Sequence, residues 1–166
     1  MYEQGLRLMS VLSEIGGGKM DTFADRMFNQ KAVFILSRLG IQGLDYPFNW
    51  YVRGPYSPEL TFQLYESQGI LDQLEHDGTP KAIFGPDTKP LEAFHSMIEE
   101  LKLINPDTEF EIRLELVASI IYLAEQLPTG TDKRAQIREA LPRLKEHFKG
   151  WDIDRYLAIV SKYHEL

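Results

Sequence analysis

The segment from Trp50 to Leu60, with the sequence WYVRGPYSPEL, constrains the fold more than any other part of the chain. An aromatic run from Phe48 to Val52 has the composition of an extended strand. Gly54-Pro55 then forces the backbone to turn. Ser57 can accept a hydrogen bond from an unpaired amide of a following helix, and Pro58 has the φ that suits a first helical residue. The sequence therefore predicts an extended segment, a corner and a helix that begins at Pro58.

The residues after this corner have the order of a winged helix-turn-helix. The helix is expected to run from Pro58 to about Gln68, and Ile70–Leu74 then alternates like a strand. Asp77-Gly78 is a hairpin signal, and Lys81–Phe84 reads as a second short strand. A further helix is expected to start near Pro90, so these elements together predict a hairpin wing between two helices.

Helical periodicity accounts for most of the remaining chain. A first helix is expected to end at Gly16–Gly18, which reads as a flexible connector, and a second is expected to run from Asp21 or Thr22 to Leu39. Glu109–Gln126 is apolar nearly all round, which is typical of a central buried helix. More polar helices follow it. Three cations of the second helix are expected to face water: Arg26, Lys31 and Arg38.

These elements predict a mainly α protein with a small β-hairpin. Residues 1–105 form a winged-helix-like N-terminal part, and residues 106–166 form a helical part packed on it as one compact unit. A chain of 166 residues is long enough to bury a proper core without covalent cross-links.

Composition and charge restrict the classes of function. The absence of cysteine excludes disulfides and thiolate metal sites and favours a reducing cytosol. No apolar stretch approaches the length of a membrane span, and the first residues lack the pattern of a signal peptide. The net charge of -7 provides no long-range attraction to nucleic acid or to anionic lipid.

No motif for catalysis, cofactor binding or metal binding is expected in the chain. The four histidines lie beyond helical reach of one another, so ligand spacing for a metal is missing. Ser57 sits at a sharp turn, but the surrounding Gly-Pro-Tyr-Ser-Pro differs from the Gly-x-Ser-x-Gly of a nucleophile elbow. We therefore expect that the protein is not an enzyme. An enzyme whose site is assembled from distant residues is the third alternative, after the two binding functions described below.

The charge of the predicted recognition helix disfavours nucleic acid as the partner. The segment from Pro58 to Gly78 contains five acidic residues and no Lys or Arg, whereas DNA-binding surfaces neutralise phosphates with basic side chains. The only basic stripe at helical spacing is an alternative nucleic-acid patch, and acidic residues interrupt it. Its members are Arg134, Arg138, Lys145 and Lys149.

A protein partner fits the polar and aromatic residues around the corner better than DNA does. We expect a cytosolic regulatory or adaptor protein that binds another protein through its winged-helix-like surface. A DNA-binding transcriptional regulator is the alternative function. The sequence leaves open whether the chain forms a homodimer. The candidate interaction surface comprises Arg53, Tyr56, Glu59, Gln63, Tyr65 and Gln68.

Several segments suggest a family. The run Asn29–Leu36, followed by the aromatic strand and Gly54–Leu60, resembles the uncharacterised YwgA-type proteins and, more remotely, the SocA-like antitoxin (Panacea) domain. Leu114–Leu123 and Leu144–Phe148 also resemble YwgA-type sequences, so the likeness covers most of the chain. The resemblance implies a small bacterial or archaeal cytosolic protein without assigned chemistry. The more remote resemblance to the SocA-like domain implies an adaptor or antitoxin role.

Overall fold

The computed structural model describes residues 2–78 and 87–166. This part of the chain is mainly helical with a small two-stranded antiparallel hairpin, which confirms the predicted fold class. The elements are helices α1 (Tyr2–Glu14) and α2 (Phe23–Arg38), strands β1 (Asn49–Tyr51) and β2 (Gly54–Tyr56), helices α3 (Pro58–Glu66), α4 (Gln68–Asp77), α5 (Thr88–Lys102), α6 (Phe110–Gln126) and α7 (Lys133–Leu144), a short 3-10 helix (Glu146–Phe148), and α8 (Ile153–Tyr163).

The predicted corner is confirmed, and it forms the second strand of the hairpin. The register pairs Trp50 with Pro55 and Tyr51 with Gly54. Gly54 has a φ of 85°, a conformation that L side chains rarely adopt. The Ser57 hydroxyl accepts a hydrogen bond from the Leu60 amide at 3.3 Å, and α3 starts at Pro58 as expected.

The prediction of a hairpin wing after α3 is wrong for its first strand. Ile70–Leu74 belongs to helix α4, and Lys81–Phe84 lies outside the described residues. Leu71 and Leu74 are both buried while the two residues between them are exposed, and this spacing of three marks one face of a helix. The hairpin found in the described residues therefore precedes α3.

Helix α6 lies in the middle of the fold, as its all-round apolar sequence predicts. It packs against α2, β2, α7 and α8, and its residues from 113 to 121 are all buried. The hydrophobic core is one continuous cluster to which residues from both predicted parts contribute. The rings of Phe34 in α2 and Tyr122 in α6, for example, lie 6.2 Å apart. Within the described ranges, no helix is both long and apolar enough to cross a membrane.

The loop at Gly16–Gly18 is fastened to the fold, which differs from the flexible connector that the sequence predicts. The Gly18 amide donates to Asn29 Oδ1 at 2.8 Å, and Asn29 Nδ2 donates to the Lys19 carbonyl at 2.6 Å. Gln68 Nε2 donates to the Gly18 carbonyl at 2.8 Å. Three hydrogen bonds therefore hold this loop between α2 and α4.

Candidate functional site

Two buried lysines hold the β-hairpin by its backbone carbonyls. Lys31 of α2 donates from Nζ to the Pro55 carbonyl at 2.7 Å. Lys145, which follows α7, donates from Nζ to the Tyr51 carbonyl at 3.0 Å and also to the Val52 carbonyl. The sequence predicts that Lys31 faces water, and this is wrong because both lysines are buried. Carbonyls of the hairpin, brought close by the fold, accept one hydrogen bond from Lys31 and two from Lys145.

A single buried carboxylate, Glu115 of α6, lies beneath the hairpin. Its Oε2 is 2.8 Å from His147 Nε2 and 3.9 Å from Lys145 Nζ, and its Oε1 is 4.0 Å from Arg53 Nη1. Oε1 has no hydrogen-bond partner among the described residues, and neither does the hydroxyl of Ser119 one turn further along α6. We call Glu115, Lys31, Lys145, Arg53 and His147 the hairpin cluster.

The hairpin cluster places more positive than negative charge in a buried region. Burial lowers the pKa of Lys31 from 10.5 to about 7; Glu115 opposes this shift, while Lys145 and Arg53 add to it. Burial also lowers the pKa of Lys145, again against the opposing effect of Glu115. Burial thus weakens the positive charge of both lysines, and the cluster still places three basic side chains around one carboxylate in a chain whose net charge is -7.

A pocket of about 340 Å³ opens between α2, the hairpin and the start of α3. Its walls combine apolar, polar and cationic side chains. The lining residues are Phe23, Arg26, Met27, Gln30, Lys31, Tyr51, Val52, Arg53, Tyr56 and Thr61. We call it the hairpin pocket, and its volume lies within the range of small ligand sites.

A more open groove of about 570 Å³ lies on the other side of the hairpin. It is lined in part by Leu144 and Lys145, and it shares Tyr51 and Val52 with the hairpin pocket. Val52 at the hairpin tip is 84% exposed, and Leu144 is also exposed. The tip of the hairpin is therefore an apolar ridge between two depressions.

A chain of hydrogen bonds forms the polar wall of the hairpin pocket. The Gln30 side-chain amide donates to the Ser57 carbonyl and accepts from the Ser57 amide, both at 2.9 Å. Gln30 Nε2 also donates to Thr61 Oγ1 at 2.8 Å, and the Thr61 hydroxyl donates to the Tyr56 hydroxyl oxygen at 2.8 Å. These bonds fix the start of α3 relative to α2 and leave the Tyr56 hydroxyl hydrogen available to another acceptor.

The structure brings together only some residues of the predicted interaction surface. Arg53 and Tyr56 both line the hairpin pocket. Glu59 and Tyr65 are exposed on α3. The other two make hydrogen bonds within the fold: Gln63 Nε2 donates to Ser67 Oγ at 2.8 Å, and Gln68 Nε2 donates to the Gly18 and Leu64 carbonyls.

The four residues of the alternative nucleic-acid patch do not lie on one free basic face. Arg134 donates to Ser161 Oγ at 2.6 Å, and Arg138 pairs with Asp154 at 2.6 Å. Lys149 lies 3.7 Å from Glu146. Lys145 is buried beneath the hairpin, as described above.

The sequence reasoning missed Lys31 and Glu115 as members of a site. A signal was present for Glu115, because it stands between Leu114 and Leu116 in the most apolar part of α6, where a buried carboxylate needs partners. In residues 2–78 and 87–166, no cluster of three or more His, Cys, Asp or Glu side chains could hold a metal ion. Comparisons with protein-family models, with curated proteins and with solved structures found no match to this chain.

Proposed function

We propose that this chain is a cytosolic regulatory or adaptor protein, not an enzyme, and that it binds another protein through the surface around its β-hairpin. The observation that carries the proposal is the group of exposed apolar side chains gathered there. We call this group the hairpin surface, and it comprises Phe23, Tyr51, Val52 and Leu144.

Local structure does not require an apolar residue at the hairpin tip. Short hairpin turns favour Gly, Asn or Asp, whereas Val52 is β-branched and 84% exposed. Contiguous exposed apolar groups next to a pocket are typical of interaction sites. Because the hairpin is anchored from below by Lys31 and Lys145, it presents this surface in one defined position, which lowers the entropy cost of binding.

The hydrogen bonds of the hairpin cluster favour binding over catalysis. The ammonium groups of Lys31 and Lys145 donate to hairpin carbonyls, so their donors already serve the structure. A catalytic base or nucleophile needs a free lone pair that reaches a substrate atom, whereas both ammonium groups donate to backbone carbonyls of the hairpin.

Capture with a matched pair of variants tests this proposal. A photo-crosslinking side chain placed at Tyr51 should capture a defined partner from native extract. Val52→Asp should weaken recovery of that partner at least about tenfold, because a charge would be introduced into an apolar contact. Leu103→Asp is the control, since Leu103 is 76% exposed at the end of α5 and outside the hairpin surface.

Two outcomes would contradict the proposal. One is equal recovery of the partner by the Val52→Asp and Leu103→Asp proteins. The other is binding to mixed duplex DNA that weakens steeply with salt and disappears in the Arg134→Glu/Arg138→Glu protein, because that result would locate binding of nucleic acid in the C-terminal helices.

A further inference from the structure

We propose that the hairpin pocket receives an acidic, apolar segment of the partner protein, in which Arg53 and Tyr56 bind a carboxylate and the apolar wall holds the side chain next to it. This inference rests on the proposed function and names the chemistry of the segment that the hairpin surface would bind.

The charges around the pocket favour an anionic occupant. Arg26, Lys31 and Arg53 all line it, and no acidic residue of the described chain does so. Arg26 donates to the Met20 carbonyl at 3.1 Å, which has no formal charge. Glu115 lies beneath the hairpin, where it faces Lys145, His147 and Arg53 together. Two arginines without an acidic residue in the lining therefore provide positive charge that a carboxylate from outside would balance.

Arg53 is the cation best placed to move toward a ligand. Its side chain is 46% exposed, and its ion pair with Glu115 spans 4.0 Å, beyond hydrogen-bonding distance. Its guanidinium donates no hydrogen bond to any residue in the described ranges. A guanidinium has five N–H donors arranged to meet a carboxylate with two parallel hydrogen bonds, so Arg53 has this capacity unused.

Tyr56 supplies a second donor in the same pocket. Its hydroxyl oxygen accepts the hydrogen bond from Thr61, which in turn accepts one from Gln30 Nε2. Hydrogen bonds in such a chain polarise one another, which makes the terminal phenolic hydrogen a better donor. A carboxylate near Arg53 would therefore complete the chain that starts at Gln30.

The apolar side chains in the lining favour an apolar group beside the carboxylate. Met27 is buried there, while Phe23, Tyr51 and Val52 are exposed to solvent. A small inorganic anion would leave these side chains in water, whereas an aliphatic or aromatic side chain would cover them. A pocket of about 340 Å³ has room for one such side chain.

A pair of small probes tests the carboxylate requirement on the intact chain. Naphthylacetate and naphthylethanol share an apolar ring system, but only the first carries a carboxylate. By titration followed with amide NMR shifts, we expect naphthylacetate to bind at least about fivefold more tightly, with shifts at the hairpin. Arg53→Gln should abolish this preference, Tyr56→Phe should reduce it, and Arg138→Gln is the control that should keep it.

The results separate this inference from the proposed function. Equal binding of the two probes, or a preference that survives Arg53→Gln, would overturn the inference. Partner capture that is lost with Val52→Asp but unaffected by Arg53→Gln would also overturn it and would leave the proposed function intact. If the protein prefers naphthylacetate but no partner protein is captured, the proposed function and the inferred partner segment are both overturned. A free carboxylic acid would then be the occupant.

Discussion

Replacement of Glu115 by glutamine tests whether the hairpin cluster stabilises the fold through its charge. Glutamine has nearly the same shape, so packing within the core is kept and the negative charge alone is lost. The Glu115 side chain is fully buried and that of Lys145 nearly so. Loss of one partner from a buried ion pair typically costs about 3–5 kcal/mol, because the other charge is left uncompensated.

The geometry places Glu115→Gln at the lower end of that range. Lys145 would keep its hydrogen bonds to the Tyr51 and Val52 carbonyls and its place 4.6 Å from the centre of the Trp50 ring. Lys31 would keep its hydrogen bond to the Pro55 carbonyl. We therefore expect a loss of about 3 kcal/mol in the free energy of unfolding. At roughly 2–4 °C per kcal/mol, the midpoint of thermal unfolding should fall by about 6–12 °C.

Urea unfolding of a double-mutant cycle measures this effect. Glu115→Gln should cost at least about 1 kcal/mol less in a Lys145→Met protein than in the native protein, because the cation that it would leave unpaired is absent there. Glu139→Gln is the control, since its partner Arg143 lies 3.4 Å away on an exposed helix face and such pairs contribute about 0.5 kcal/mol or less. A Glu115→Gln protein within 1 kcal/mol of the native protein, without coupling to Lys145, would refute the reasoning.

Two further predictions concern the hairpin and its anchor. Gly54→Ala should lower the free energy of unfolding in urea by at least about 2 kcal/mol, because φ is 85° and a Cβ would lie 2.8 Å from Ser119 Oγ. Gly130→Ala is the control and should cost less, because Gly130 has a φ of 86° but open space around it. Equal costs would contradict a close approach at Gly54. The pKa of Lys31 is about 7 in the native protein and 10.5 in the unfolded chain, so the unfolded chain binds more protons between these pH values. The free energy of unfolding should therefore rise with pH across this window, by up to about 1.4 kcal/mol per pH unit. Unfolding of Lys31→Met should lack this rise, and parallel curves for the two proteins would show that Lys31 titrates normally.

Local patterns in the sequence were sufficient to predict the corner and the central helix. Ser57 and Pro58 act within a few residues of their own position, and the burial of α6 follows from its composition. The Leu71–Leu74 pair was misread because five residues can satisfy either an alternating or a helical pattern, and the packing of α4 on α1 decides between them.

The members of the hairpin cluster could not be predicted from local patterns. Lys31 and Lys145 look like exposed cations when only their neighbours in the sequence are considered. Their burial depends on carbonyls that are 24 and 93 residues away in the chain, respectively. Arg53 and Tyr56 could be selected in advance because they flank the corner, but their shared pocket with α2 depends on tertiary packing.

The anchoring of the hairpin by Lys145 has a consequence for folding during synthesis. The hairpin lies in the first third of the chain, but the ammonium group that satisfies the Val52 carbonyl is made 93 residues later. At roughly 5–20 residues per second, the ribosome needs about 5–20 seconds to add those residues. During this interval the nascent hairpin lacks its second anchor, so the hairpin can reach its final set of hydrogen bonds only after the chain has been made through Lys145.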